Sequence, residues 1–306
     1  MRKLLIILFI IFTSGSILHA QQQPVTDLYL FEGLAINPAY AGANVQFSTT
    51  VIHRDQWVNF PGSPVTDMFS VHSGFFKSKL GVGFMMTNDK IGIHSDLGMY
   101  GSFSYKITMD VGVLSMGLQA GLNNLKTDFN LLNLKDQADL LLNGQVQAWN
   151  PNFGAGLYFT NDLIFLGASV PYLINSSALD VEGVLSEAKR YRYYYLYGGT
   201  TLILNKDFKL KPSALLRFQE GAPITFDLTL GIVAYETVKF GTTYRLNDNI
   251  TFLFELELLE QLHFGYAYEY TLSDIAKYSN GTHEIMVNFR FKVDRIHGGL
   301  KCPAYY

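Results

Sequence analysis

The residues best equipped for chemistry are charges set in the middle of segments that otherwise alternate apolar and polar: Arg192, Arg217, Asp227, Arg245, Glu255, Glu257, Glu269 and Arg290. Facing lipid, a mid-depth Lys or Arg would cost about 2–4 kcal/mol. They are therefore expected to point into an enclosed polar interior, where opposite signs pair. Arg54 and Trp57 lie where a first strand would meet its loop. They could stack as a cation on a ring at the rim, or Trp57 could be a plain interfacial anchor. Enzyme chemistry has little support. The histidines after His19 are scattered with no zinc-binding helix pattern, and there is no nucleophile elbow or phosphate loop. Gly154-Ala155-Gly156 falls inside a strand, which excludes a dinucleotide fingerprint. No cofactor and no metal are expected. A barrel lipase that assembles Ser and His across strands is the one enzyme class left open.

Strands must carry these charges, and a period of two runs through the chain. Leu80, Val82, Phe84 and Met86 alternate with Gly81, Gly83, Met85 and Thr87. Leu114 to Leu122 and Leu262 to Tyr270 repeat the pattern. Strands are expected over 46–54, 66–74, 79–88, 97–109, 111–122, 151–160, 163–170, 191–204, 208–219, 223–234, 238–246, 249–258, 262–271 and 282–291. Most are near the roughly 9–11 residues that a tilted strand needs to cross hydrocarbon. The gaps between them sort by length. Alternate gaps are tight, with turn chemistry at Asp110, Asn161-Asp162 and Asn205-Lys206-Asp207. Four of the remaining gaps, 55–65, 123–150, 171–190 and 272–281, are long. Outer-membrane barrels sort their connections in this way, with short periplasmic turns and long external loops; a soluble sandwich has no reason to. The expectation is an all-β chain: a transmembrane antiparallel β-barrel of about fourteen strands, with an N-terminal segment near or in the lumen.

Composition agrees. Phe and Tyr number 23 and 19 while charged residues make up only 16%, which suits a lipid-facing exterior with aromatic anchors. A net charge of −3 leaves no electrostatic footprint for nucleic acid. Arg2 and Lys3, the apolar run Leu4 to Phe12 and a small residue at Ala20 read as a secretory signal cleaved after Ala20, although Leu18 is bulky for such a site. The expected organisation is a signal peptide (1–20), a plug or leader (21–45), the barrel (46–291) and a tail (292–306). Cys302, the single cysteine, can form no intrachain disulfide.

Pro24 and Pro38 argue against a continuous strand before residue 45, and Asn37-Pro38 initiates a turn. A segment with Leu28, Tyr29, Leu30, Phe31 and Tyr40 could fold into the periplasmic mouth as a plug, or remain a loose leader that closes one rim. Pro61, Gly62 and Pro64 would stiffen the first long loop. The leucine-bearing stretch Asn124 to Asn150 and the run Ile174 to Lys189 could hold short amphipathic helices that cap the barrel, or could pack against the rim.

One stretch is more specific. Asn37-Pro38-Ala39-Tyr40-Ala41-Gly42 is followed by Arg54-Asp55-Gln56-Trp57, by Gly62-Ser63-Pro64-Val65-Thr66 and by Ser70-Val71-His72. This order and spacing resembles the N-terminal signature of the PorP/SprF family of type IX secretion membrane proteins from Bacteroidetes. The resemblance continues through Gly81-Val82-Gly83, Asp89-Lys90-Ile91-Gly92 and Ser102-Phe103-Ser104-Tyr105 to the final strand, His283 to Phe291. It implies a bacterial outer-membrane barrel in contact with lipid. Such a barrel would assist export or surface attachment of an adhesin-like cargo, including gliding adhesins in motile relatives, beside other type IX components and a peptidoglycan-associated periplasmic protein. On the motif, Asn37, Pro38, Ala39, Tyr40, Ala41, Gly42, Arg54, Gln56, Trp57, Pro64 and Thr66 are the partner-binding candidates. A general or substrate-specific pore competes with this role, and a soluble periplasmic β-protein is a third class.

Overall fold

Each alternating segment forms a strand of one antiparallel sheet. The strands are β1 (Gln46–Asp55), β2 (Val65–Phe75), β3 (Leu80–Ile91), β4 (His94–Met109), β5 (Gly112–Asp128), β6 (Gln145–Thr160), β7 (Ile164–Val170), β8 (Tyr193–Thr200), β9 (Phe208–Gln219), β10 (Thr225–Ala234), β11 (Val238–Arg245), β12 (Asn249–Leu259), β13 (Leu262–Thr271) and β14 (Thr282–Lys292). Past a break at Thr201, β8 continues as Leu202–Ile203, still paired to β9. Neighbours in sequence pair with each other, and β1 pairs with β14 from Gln46↔Lys292 to Asp55↔His283. The sheet is thus a closed fourteen-stranded barrel. Closure satisfies the ladder without a free edge, a requirement hydrocarbon imposes on any sheet that crosses it. The computed structural model describes residues 26–43, 46–75, 79–131, 144–177, 180–181, 184–185, 189–190, 192–219 and 222–292. The expected signal peptide and C-terminal tail, with Cys302, lie outside them.

The barrel is inside-out relative to a soluble protein. Along β5, Leu118 is 66% exposed whereas Gln119 is 3% exposed. Val82, Phe84, Phe103, Leu166, Leu196, Leu228, Phe240, Phe252 and Val287 point out, while Ser70, Ser104, Thr229, Thr243, Thr251, Asn288 and Arg290 are buried within. An apolar surface this continuous marks a contact with lipid.

Connections divide by end. At one mouth lie 56–64, 92–93, 129–144, 171–192, 220–224, 246–248 and 272–281; at the other lie 76–79, 110–111, 161–163, 204–207, 235–237 and 260–261. The first mouth is the external one. The Asn161 side chain accepts from the N–H groups of Leu163 and Ile164 (2.9 and 2.8 Å), and that of Asn205 accepts from Asp207 and Phe208 (2.9 and 2.8 Å). These are the expected side-chain turns of the short mouth.

Three expectations are corrected. The segment 89–96 is not a loop, because β3 and β4 run on to a two-residue turn at 92–93. Much of 124–150 is also strand: β5 reaches Asp128 and β6 starts at Gln145, as the ladder extends beyond the membrane wherever its partner does. Phe129–Leu131 forms one turn of 3-10 helix, and 132–143 lie outside the described residues. In the run 174–189, Ser176–Ser177 pairs with Lys189–Arg190, and Asp180–Val181 with Val184–Leu185, so the described residues there pair as strands and form no helix.

Residues 26–43 lie in the lumen as three turns of 3-10 helix, Asp27–Leu30, Gly33–Ala35 and Pro38–Tyr40. Each turn is opened by a side chain that accepts a backbone N–H: Thr26 from Leu28, Glu32 from Leu34 and Asn37 from Ala39. A segment with no strand to pair with must satisfy its own backbone, and short capped turns do so locally. Leu28, Leu34, Ile36 and Tyr40 are at most 2% exposed. Burial of each stabilises the seated segment by about 1.5–3 kcal/mol.

Candidate functional site

The motif Asn37 to Gly42 sits in the periplasmic half of the lumen, on strands that have no side chain at the points of contact. A Cβ on Gly117 of β5 would lie 2.1 Å from the Ala39 nitrogen, one on Gly81 of β3 2.0 Å from the Ala41 carbonyl oxygen, and one on Gly156 of β6 2.0 Å from Asn37 Oδ1. Three inward glycines on separate strands therefore form the seat. Gly42 itself is in the left-handed region (φ +61°), with Ser73 and Gly74 backbone against it; that conformation favours glycine.

Polar contacts fix the turn in this seat. Asn37 Nδ2 donates to the Leu157 carbonyl (2.9 Å) and to the Tyr197 hydroxyl (3.1 Å), while its Oδ1 caps Ala39 (2.9 Å). Ser169 donates to the Ile36 carbonyl (2.6 Å), Ser104 to that of Ala41 (2.7 Å), and Lys106 to that of Gly42. The Gly42 N–H donates to His72 Nδ1 (3.2 Å). The Tyr40 ring meets His72 and Tyr158 edge-on, at centroid distances of 5.7 and 5.4 Å. Asn37→Ala removes two donations and a cap together. It is expected to destabilise the folded protein by about 1–3 kcal/mol, read as a lower urea midpoint of Trp fluorescence in liposomes.

The other end of the segment is anchored by charge. Arg54 donates to Asp27 (3.1 Å), Glu269 (3.2 Å) and Glu284. Arg245 reaches Asp27 (2.7 Å) and Asp227 (2.9 Å), and Arg217 reaches Asp227 (3.3 Å). Glu284 also accepts from Thr26 Oγ1 (2.7 Å) and the Asp27 N–H (3.0 Å). Lower in the lumen, Glu255 holds Lys239 (3.0 Å), His263 (3.2 Å) and Arg290 (4.0 Å). Most charges expected to face inward do so. Arg192 does not: it precedes β8, is exposed, and shares the parity of the outward Tyr194 and Leu196.

The candidate residues do not form one patch. Asn37, Pro38, Ala39, Tyr40, Ala41 and Gly42 lie deep in the lumen, Arg54 lies in the charge cluster, and Gln56, Trp57, Pro64 and Thr66 lie at the external rim. No cation stacks on Trp57 from Arg54, whose guanidinium is committed to carboxylates. Instead the loop carrying Trp57 is stitched to its neighbours: Trp57 N–H to Thr282 Oγ1 (3.4 Å), Val58 N–H to Gly281 (2.9 Å), Asn280 N–H to Val58 (2.9 Å) and Gly92 N–H to Gly62 (3.1 Å). Gln56 N–H donates to Pro64 (3.0 Å), and Thr66 to Asp89 (2.6 Å). Left-handed φ values at Trp57 (51°) and Asn59 (71°) show a loop held in one shape by these contacts. Asp27, Glu32, Glu284, Lys106 and Lys239 were missed in the sequence. Parity would have found Glu284, which shares the inward face of Met286, Asn288 and Arg290. Among the described residues, no group of three or more His, Cys, Asp or Glu side chains is arranged to hold a metal.

Residues 18–289 match the family described as type IX secretion system membrane protein PorP/SprF. The chain belongs to that family. The match covers the lumenal segment as well as nearly all of the barrel, so the motif of residues 37–42 of this PorP/SprF protein lies within it. Membership in a membrane-protein family, with a closed barrel and an apolar exterior, places the chain in the outer membrane. No match was found among curated proteins. Similar solved structures include the Ralstonia pickettii toluene transporter TbuX (13% identity, 87% of this chain and 93% of that one, TM-score 0.48), the Acinetobacter baumannii outer membrane protein Omp33 (8%, 81% and 99%, 0.46) and the KdgM porin (12%, 80% and 99%, 0.41). At such identities they say nothing of what this PorP/SprF protein binds or passes.

Proposed function

We propose that this protein is a non-enzymatic accessory of type IX secretion that assists export or surface attachment of a secreted partner such as an adhesin, beside other components of the apparatus. An export signal at 1–20 and a periplasmic tail at 292–306 belong to the same proposal. The observation that carries it is the occupied lumen. A conduit gains nothing from a buried segment clamped at both ends, by ion pairs at Asp27 and by the glycine seat at residues 38–41. With the interior occupied, the stitched external loops offer a surface for a partner, and a preformed loop loses less ordering entropy on binding than a floppy one.

Deletion of the gene, with export and surface retention of the partner measured beside single-channel recording of the purified protein, tests the proposal. Loss of retention with little conductance is the expected result. Large open conductance with normal secretion would make the protein a pore.

A further inference from the structure

Where the wall leaves the lipid, β6 outruns β7. The apolar run of outward side chains ends at the row of Phe69, Met86, Leu122 and Pro151; the next outward row toward the external mouth joins His53, Asp67, Asn88, Leu97, Asn124 and Trp149. β6 continues through this polar row to Gln145, paired on one side with β5 as far as Asp128. On its other side β7 pairs with it from Thr160↔Phe165 to Ala155↔Val170 and stops. Pro171, which has no N–H for a ladder, begins a turn into the lumen. Gly154 makes room for it, since a Cβ there would lie 2.3 Å from the Pro171 carbonyl oxygen. The Asn152 side chain then accepts from the N–H groups of Leu173 and Ile174 (3.0 and 3.2 Å), and the Phe153 carbonyl accepts from Leu173 (2.8 Å). Among the described residues, no backbone pairs with β6 on this side from 145 to 151.

The vacated lane is faced by the backbone of alternate residues. The Phe153 carbonyl turns to Leu173, and the Asp128 N–H turns to Ile93 of the preceding turn (2.9 Å), so the odd-numbered residues of β6 aim their backbone groups away from β5. Gln145, Gln147 and Trp149 therefore present theirs in a row, about 7 Å apart. Hydrocarbon would forbid such a row; above the apolar band, water satisfies it. Water-exposed edges are ordinarily guarded by Lys, by Pro or by a bulge. This one has Pro151 at its base, neutral Gln145, Gln147 and Trp149 along it, and an unbroken register with β5. Trp149 is 52% exposed on the outward face.

We infer that this edge docks a strand: an extended segment of the exported partner adds to the barrel wall beside 145–149 through main-chain hydrogen bonds, with an apolar side chain packed against Trp149. In this mode the backbone supplies affinity and the flanking side chain supplies specificity. A second copy of the chain does not fit the lane. Two barrels inserted the same way round are related by an axis along the membrane normal, which leaves their β6 strands running the same way along it, whereas an isologous pair of edges is antiparallel. The inference rests on the proposed partner role for the identity of the occupant, and on the ladder of β6 for the edge itself.

Two measurements on the full-length protein test it. In purified protein in liposomes, amide hydrogen exchange resolved to single residues should find Gln147 and Trp149 unprotected and Ala148, which faces β5, protected. Protection of Gln147 and Trp149 there would mean that the chain covers its own edge, and overturns the inference. In intact cells, p-benzoylphenylalanine placed singly at 145, 147 and 149 is photolysed and the adducts are mapped by mass spectrometry. All three are expected on one segment of a second protein, advancing along it by two residues for every two along β6. Gln147→Pro removes an N–H that β5 does not use; with heat-modifiable migration retained, it should lower the adduct yield from position 149 by about tenfold, while Gln147→Ala keeps it. Adducts within this chain, between two copies of it, or scattered without register overturn the inference, as does an undiminished yield in Gln147→Pro. The partner role fails separately: ordered adducts on a protein whose surface retention survives deletion of the gene uphold the docking edge and refute that role, and lost retention without ordered adducts does the reverse.

Discussion

Arg54→Met is expected to lower the stability of the folded barrel by about 3–5 kcal/mol, because removing one partner of a buried ion pair leaves its counter-charges stranded. Asp27, Glu269 and Glu284 converge on this guanidinium, and their side chains are 4% exposed or less. Arg245 would remain near two of them. The effect should appear as a lower urea midpoint in liposomes and as release of the upper end of the plug, seen by protease cleavage near Thr26. Arg54→Lys keeps the charge but not the planar fork that serves three carboxylates at once, so it should restore only part of the loss. Arg54→Met combined with Glu284→Gln should be milder than Arg54→Met alone, since one stranded charge has been removed. Unchanged stability in Arg54→Met would show that the cluster is hydrated and contributes little.

Gly117→Val is expected to unseat the plug while leaving the barrel closed. The new Cβ would lie 2.1 Å from the Ala39 nitrogen and 2.4 Å from the Pro38 carbonyl carbon, backbone atoms that cannot turn aside as a flexible side chain can. Overpacking costs about 1–3 kcal/mol where neighbours relax. Here the cheaper relaxation is for the turn at residues 38–40 to leave, because the alternative bends β5 between β4 and β6. Conductance in planar bilayers should rise above that of the parent, with heat-modifiable migration on gels retained. Gly231→Val is the control: its Cβ would meet nothing nearer than 3.5 Å, and both properties should stay as in the parent. A Gly117→Val protein with parental conductance would mean that the turn shifts within its seat rather than leaving.

These two variants act on opposite ends of one segment, and the difference between them is physical. Charge holds the external end, through the buried ion pairs of Asp27 with Arg54 and Arg245. Steric fit at the three glycines holds the periplasmic end, together with hydrogen bonds from Ser104, Lys106 and Ser169. Each variant is expected to release its own end, and the two together should open the lumen further than either alone.

Much of the architecture was legible in the residues themselves. Alternation with period two, carried by pairs such as Leu118 and Gln119, dictates strands with a greasy face and a polar face. The sorting of short and long gaps separates the two mouths, and mid-strand charges at Arg217, Asp227, Arg245 and Glu269 mark the inward side. These are local properties, set by neighbours one or two positions away, and a linear pattern records them. Strand ends were less legible, because β5 and β6 extend as far as each other's backbone permits rather than as far as their own alternation predicts.

Which residues meet across the lumen was not legible, and only closure of the barrel decided it. Arg54 read as a rim residue beside Trp57, yet it is cross-strand to Glu284 and bound to Asp27, partners separated from it by 230 and 27 positions. Gly81, Gly117 and Gly156 look like ordinary strand glycines, and become a seat only when three strands curve around one turn. The choice between plug and loose leader was likewise tertiary. It depends on the fit of Asn37 to Gly42 against walls that exist only after β1 pairs with β14.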